Sequence, residues 1–177
     1  MEFCTERLIL REFTDDDFAA VHRYTSNPDA MKFMLWGPNS EEETRGFLAK
    51  VAALAAEEPR TGYELAVTRR DDGALLGGGC LYVTGTNGEI GYCLSPDAWN
   101  RGYATEAARE LMRYGFEEHR LHRIFATCRP ANAGSARVIE KLGMQREGHL
   151  REYLYAKGRY HDSLLFSILE EEWRAGQ

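Results

Sequence analysis

The sequence predicts an α+β fold: a mixed, mostly antiparallel sheet with flanking helices, in which two central strands run parallel. Three observations carry this. Short β-rich runs, Tyr63 to Thr68, Leu75 to Val83 and Glu89 to Leu94, are separated by Asp71-Asp72-Gly73 and Asn87-Gly88 and so read as an antiparallel meander. A helical run follows, with Ala104, Ala107, Ala108, Leu111, Met112 and Gly115 recurring near a period of 3.6. Another β run, Leu121 to Cys128, comes straight after it, and two strands joined through a helix lie roughly parallel.

In chain order, Arg7-Leu8-Ile9-Leu10-Arg11 is β-rich and reads as the first strand. Thr14-Asp15-Asp16-Asp17 offers an N-cap hydroxyl with an acid three residues on, so a helix is expected next, with Phe18, Val21 and His22 on its inner stripe and Asn27-Pro28 beyond its end. Met31 to Pro38 is apolar but irregular; large apolar side chains on a loop line a pocket or cover a core, and both readings stay open. Ser40-Glu41-Glu42-Glu43 is a cleaner capping box, opening a helix with Phe47, Leu48, Val51, Leu54 and Ala55 on one face. Inside the middle strand of the meander, Gly77-Gly78-Gly79 predicts a bulge or the close approach of another backbone. After the crossover, Asn132 is the N-cap of a helix with Val138, Ile139 and Leu142 inward and Gly143 as its stop. Met144 to Tyr155 and Tyr160 to Leu169 form a closing hairpin around Lys157-Gly158, and Glu170 to Trp173 is too short to assign.

A length of 177 residues suits one domain, 1–177, with a core of its own. The formal net charge of -6 argues against nucleic-acid binding as the main task, because a protein that tracks phosphates needs a basic face. An acidic surface suits a cationic partner such as a polyamine or a protein amino terminus. No apolar run approaches the roughly 20 residues that span a bilayer, so a cytoplasmic protein without membrane attachment is expected. Cys4, Cys80, Cys93 and Cys128 are widely spaced and form no Cys-x-x-Cys pair, so no metal is expected, and Cys93 and Cys128 read as buried packing. His119 and His122 lie at the end of the central helix, where a cation complements the negative pole. The oligomeric state stays open, a homodimer included.

Chemistry enters at Trp99-Asn100-Arg101-Gly102-Tyr103-Ala104-Thr105, a basic, glycine-containing turn that runs into the central helix. The first turn of a helix leaves its backbone N–H groups unpaired at the positive end of the macrodipole, and Gly102 lets a ligand approach without meeting a Cβ. A phosphate or pyrophosphate suits that place.

Trp99-x-x-Gly102-x-Ala104, between a strand and a helix, resembles the acetyl-CoA signature of the GNAT superfamily of N-acetyltransferases, Gln/Arg-x-x-Gly-x-Gly/Ala. The leading Trp departs from that pattern but is similar to the ribosomal-protein-alanine acetyltransferase branch. So are Asn132-x-x-Ser135 followed by Glu140-Lys141-Leu142-Gly143-Met144, the hairpin from Arg151 to Asp162, and Glu171-Glu172-Trp173. The resemblance runs from about Thr5 to Trp173. It implies a GNAT-like sheet whose two parallel central strands, Glu89 to Leu94 and Leu121 to Cys128, splay apart to admit acetyl-CoA. It also implies transfer of acetyl to a primary amine by direct attack in a ternary complex, with acetyl-CoA as co-substrate. The acceptor would be a ribosomal-protein N-terminal amine, a polyamine, or an aminoglycoside or other small amine.

The same resemblance assigns roles. Glu89 would be the base, directly or through water, and a backbone N–H near Cys93 and Leu94 would hold the oxyanion. Arg101 and the N–H groups of Asn100, Arg101, Gly102, Tyr103, Ala104 and Thr105 would hold the pyrophosphate, Asn132 the pantetheine arm, and the loop with Phe33 and Trp36 would flank the acceptor. Many members of the superfamily place a Tyr four residues before the Gly of the second motif, as the acid for the departing thiolate. Here that position is Ile139, which cannot donate a proton, so the role passes to Ser135 or to no side chain. By residue type alone Glu89 also reads as a solvated acid, and Asn132 and Ser135 as helix-start residues.

Two other classes are distinguishable. A non-catalytic acyl-CoA-binding module would keep the phosphate turn and lose its acid; Ile139 fits it, whereas Glu89 and Ser135 do not. A dinucleotide-binding domain needs Gly-x-Gly-x-x-Gly after the first strand of a repeated βαβ sheet, and the chain has neither.

Overall fold

A computed structural model describes residues 1–176. Its elements follow in the order β1 (Glu2–Cys4), β2 (Leu8–Glu12), α1 (Phe18–Thr25), α2 (Glu41–Ala55), β3 (Gly62–Arg69), β4 (Leu75–Thr84), β5 (Asn87–Leu94), α3 (Tyr103–Glu117), β6 (Arg123–Cys128), α4 (Ala133–Lys141), β7 (Gln145–Ala156), β8 (Arg159–Leu169) and α5 (Glu170–Ala175). The strands form one sheet, β1-β2-β3-β4-β5-β6-β8-β7, in which β5 and β6 are parallel and every other neighbouring pair is antiparallel. This is the mixed α+β architecture read from the sequence.

Side-chain alternation along the strands sorts the helices onto two faces. Leu65, Val67, Leu81, Ile90, Ile124 and Ala126 pack with Ala107, Ala108, Leu111 and Met112 of α3 and Ile139 of α4. Ala66 and Leu75 pack with Val21 and Tyr24 of α1 and Leu48 and Val51 of α2, with Cys93 against them. At the end of the chain Trp173 of α5 stacks on Phe116 of α3 at 5.6 Å between ring centroids, which fastens the last helix to the core.

The local signals held where a side chain closes a cap. Ser40 accepts from the Glu43 amide at 3.2 Å and Glu43 returns the contact to the Ser40 amide at 2.7 Å, the reciprocal box that starts α2. Asn132 Oδ1 accepts from the Ser135 amide at 3.1 Å and starts α4. Gly77 meets the close backbone approach expected of the triple glycine: a Cβ there would stand 2.2 Å from the Cys93 carbonyl oxygen.

Two expectations are corrected. The hairpin turn between β4 and β5 is Gly85-Thr86, not Asn87-Gly88, because Thr84 pairs with Asn87 and Gly85 takes the left-handed φ of +59°. Gly88 is instead a buried strand residue, where a Cβ would meet Leu121 at 2.7 Å and Leu81 at 2.9 Å. The Thr14 cap is as expected, with the Asp17 carboxylate accepting from the Thr14 amide at 2.8 Å, and its first turn, Asp15–Asp17, is 3-10 before α1 begins at Phe18; Arg11 also holds that carboxylate with bonds of 2.7 and 2.8 Å. His119 is no cation at a helix end: its ring packs against Tyr63 and Tyr114, its Nε2 is buried without a partner, and desolvation lowers its pKa. The short strand β1 and helix α5 add elements that the sequence left unassigned.

Candidate active site

The site begins where two strands part. The parallel pair β5 and β6 is in register only at Asn87 with Arg123, Gly88 with Ile124 and Glu89 with Phe125. Beyond Glu89 the strands continue to Leu94 and Cys128 with no ladder between them. Gly88 permits close packing below this point, and α4 closes the far side of the gap above it. The result is a cleft of about 200 Å3. Its walls include Glu89 and Tyr92 of β5, Thr127 at the end of β6 and Arg129 just beyond it, and Asn132, Ser135 and Ile139 around the start of α4, with Phe33 to Trp36 from the α1–α2 loop as the outer wall.

Glu89, Ser135, Asn132, Phe33 and Trp36, which the sequence singled out from distant stretches, therefore face one cavity. Glu89 is exposed at its rim, yet desolvation on the protein side raises its carboxyl above the ordinary range. A carboxylate so placed is a better proton acceptor than a fully hydrated one. Ser135 is held by two bonds: its amide caps on Asn132, and its Oγ lies 3.0 Å from the Tyr92 hydroxyl. Tyr92 also donates within reach of the Ser135 carbonyl oxygen, at 3.2 Å. Burial pushes the Tyr92 phenol up to about 12, so it keeps its proton at neutral pH. Sequence reasoning missed Tyr92; its one signal was an aromatic placed three residues after Glu89 on the same strand, which by period points to the opposite face.

The glycine turn forms a second part of the site. Asn100 and Gly102 are left-handed, at φ +59° and +82°, and Gly102 is the N-cap of α3. No side chain caps that helix start, in contrast to α2 and α4, so the amides of Tyr103, Ala104 and Thr105 point out of the first turn. The Trp99 indole N–H donates to the Leu94 carbonyl at 2.9 Å, tying the turn to the end of β5 and accounting for a Trp at the head of the motif. A further basic residue attends the turn. Arg7 donates to the Arg101 carbonyl at 3.0 Å, pairs with Glu106 of α3 at 2.7 Å, and brings its Nη2 within 3.2 Å of where a Gly102 Cβ would lie. Arg101 itself is exposed.

Cys93 and Leu94 do not line the cleft through their side chains: Cys93 packs toward α1 and α2, where burial pushes its thiol up to about 12, and Leu94 belongs to the α3 core. The loop from Met31 to Pro38 has both roles that the sequence left open. Met31 is fully buried in the core, while Phe33 to Trp36 face the cleft, with Trp36 stacked over Phe47. Lys157, at the tip of the β7–β8 hairpin, donates to the Met31 carbonyl at 2.8 Å and joins that hairpin to the loop. Among the described residues no group of three or more His, Cys, Asp or Glu could hold a metal ion, and no helix is long and apolar enough to cross a membrane.

Comparison with known proteins agrees with this architecture. The profile described as "Acetyltransferase (GNAT) domain" matches residues 7–145. "Uncharacterized N-acetyltransferase YnaD" of Bacillus subtilis is 39% identical over 175 residues, covering 98% of this chain and 99% of its own. "[Ribosomal protein uS5]-alanine N-acetyltransferase" of Escherichia coli is 28% identical over 88 residues, 50% of this chain and 45% of its own. Among solved structures, a GNAT-family acetyltransferase from Bacillus anthracis superposes with a TM-score of 0.86 at 38% identity, covering 97% of this chain and 99% of the other.

Proposed function

The chain belongs to the GNAT acetyltransferase family and is an acetyl-CoA-dependent acyltransferase, and from that premise we propose that it acetylates a primary amine by direct attack within a ternary complex, with Glu89 as base and Ser135 as hydrogen-bond donor to the leaving sulfur. The observation that carries this reading is the parting of β5 and β6 beyond Glu89, which leaves Glu89 and Ser135 on the walls of one cleft. The residues of the glycine turn suit the co-substrate's pyrophosphate: α3 begins without a side-chain cap, and Gly102 carries no Cβ to bar a phosphate. Acetyl-CoA supplies an activated acyl group, and every other requirement falls to the protein.

Three tasks remain, and each has a candidate. An ammonium must lose its proton before it can attack, and the raised carboxyl of Glu89 is suited to take it, directly or through one water. The carbonyl oxygen gains charge during attack, and a main-chain N–H on the unpaired edge of β5 near Cys93 and Leu94 is our candidate donor. The sulfur leaves as a thiolate. Ile139 offers no proton, and the Ser135 hydroxyl, one helical turn earlier and oriented by Tyr92, is the candidate donor. Asn132 would meet the pantetheine arm near the same helix start.

For the acceptor we favour a protein N-terminal amine of the ribosomal kind, supported by the similarity to the Escherichia coli enzyme over half of this chain. The net charge of -6 favours a second reading, a small cationic amine such as a polyamine or aminoglycoside. The test is CoA thiol release from acetyl-CoA across a panel of N-terminal peptides, polyamines and aminoglycosides. Acetyl-CoA binding without thiol release for any amine would overturn the catalytic reading.

A further inference from the structure

Three buried polar side-chain atoms lack a hydrogen-bond partner among the described residues, and one of them is Arg129 Nη1. Strands β6 and β8 pair as far as Cys128 opposite Leu164, and Arg129 is the first residue beyond the end of that ladder. Arg129 lies on the wall of the cleft that also holds Glu89.

Arg129 differs from the arginines that hold the fold together. Arg7 has Glu106, Arg11 has Asp17, Arg60 has Glu12, Arg113 has Glu110 and Arg123 has Glu147. Among the described residues no carboxylate pairs with Arg129: burial lowers its pKa, and the Cys128 thiol acts the other way. A guanidinium edge withdrawn from water without a counter-charge is costly, and that cost is offset when an anion arrives. A planar fork of N–H groups matches a carboxylate best. The cleft thus offers a cation at Arg129 and an anion at Glu89, the pattern complementary to a molecule bearing both an ammonium and a carboxylate. A polyamine would set its second cation against Arg129.

We propose that the acceptor carries a carboxylate beside its reacting amine, and that Arg129 binds that carboxylate while Glu89 faces the amine. The inference rests on the acetyl-transfer reading above. Two sources share this chemistry, a free amino acid and a peptide N-terminus with an acidic side chain next to the amine.

The experiment measures KM and kcat by CoA thiol release for free amino acids and their C-terminal amides, for peptides with Asp or Asn at the second position, and for spermidine. The expected result is a KM for the carboxylate member of a matched pair lower than its neutral partner's by roughly ten- to a hundredfold, the range for one charged hydrogen-bonded contact. The pair that shows the difference identifies the source. Arg129→Met should abolish the difference while the calorimetric Kd of acetyl-CoA stays where it was, and Arg129→Lys, which keeps the charge and loses the fork, should fall between. Equal KM values within every pair, a preference for spermidine, or a loss of acetyl-CoA affinity in both variants would overturn the inference and leave acetyl transfer standing. Absence of thiol release from every acceptor would count against acetyl transfer itself and overturn the inference with it.

Discussion

The Tyr92 hydroxyl lies 3.0 Å from Ser135 Oγ and 3.2 Å from the Ser135 carbonyl oxygen, so one phenol proton has two acceptors on the same residue. The choice between them has a chemical consequence. When Tyr92 donates to the carbonyl, its oxygen accepts the Ser135 proton; when it donates to Oγ, the Ser135 proton is released to point into the cleft. Because burial keeps the phenol protonated, the pair can offer that O–H to the leaving sulfur as a hydrogen-bond donor while both hydroxyls stay neutral.

Ser135→Ala should therefore lower kcat by roughly ten- to a hundredfold, the range for losing one positioned donor, with a smaller effect on acetyl-CoA affinity. Tyr92→Phe should lower kcat by roughly tenfold, and the double variant should be no slower than Ser135→Ala, since both act through one hydroxyl. Steady-state kinetics on the three variants decides it. Full activity in Ser135→Ala at saturating acetyl-CoA would make Ser135 a helix-start residue and no more.

Glu89 bears on the pH profile. Its carboxyl is raised by desolvation, and only the ionised form accepts a proton, so kcat/KM should climb with pH through a pKa above the ordinary carboxylate value and then level as far as this group is concerned. Glu89→Gln should remove that limb and lower turnover at neutral pH on the order of a hundredfold, with acetyl-CoA affinity little changed. A pH profile in Glu89→Gln superimposable on the parent's would pass the role to water.

At the glycine turn, Gly102→Ala tests the left-handed start of α3. The φ of +82° is unfavourable for a residue with a Cβ, while the steric neighbour, Arg7 Nη2 at 3.2 Å, is the movable end of a side chain. A penalty of about 1–2 kcal/mol on the binding-competent turn reduces its population and should weaken acetyl-CoA binding by roughly tenfold. Isothermal titration of a variant whose melting temperature is near the parent's would read this directly. Unchanged affinity would move the pyrophosphate elsewhere.

The Arg11–Asp17 pair tests the fold rather than the chemistry. Burial tends to raise the Asp17 pKa, yet the hydrogen bonds from Arg11 and Thr14 outweigh it and hold the group below its ordinary value of 3.8. A lowered native pKa means stability that is fully present above the unfolded-state value and is lost as pH falls through the native one. Asp17→Asn should cost about 2 kcal/mol at neutral pH, and the gap to the parent should narrow in acid below the ordinary aspartate pKa. Urea denaturation at the two pH values supplies the comparison; a constant gap would assign the loss to packing.

Much of this was legible in the chain because it is local. The reciprocal cap of Ser40 and Glu43, the Asn132 cap, the period of α3 and the parallel return of β6 each depend on residues within a few positions or on one crossover. The turn between β4 and β5 was misread for a physical reason. Asn87-Gly88 has the better turn composition, but pairing of Thr84 with Asn87 decides the register, and a buried approach of Leu81 and Leu121 needs Gly88 inside the strand.

By itself the sequence determined the α+β order and the glycine turn at the head of α3, since caps and periodicity act over short stretches, while the candidates Glu89 and Ser135 came from the resemblance to the GNAT superfamily. Only the tertiary structure decided what those residues stand beside. Tyr92 reaches Ser135 across a separation of 43 residues, Arg7 reaches the Arg101 carbonyl across 94, and Lys157 reaches Met31 across 126. Whether Arg129 finds a counter-charge depends on how β6 and β8 end, and no local rule of the chain encodes that. Such contacts arise because the sheet collects strands distant in sequence and the helices pack where side-chain alternation leaves apolar faces, so their partners are set by packing rather than by neighbourhood.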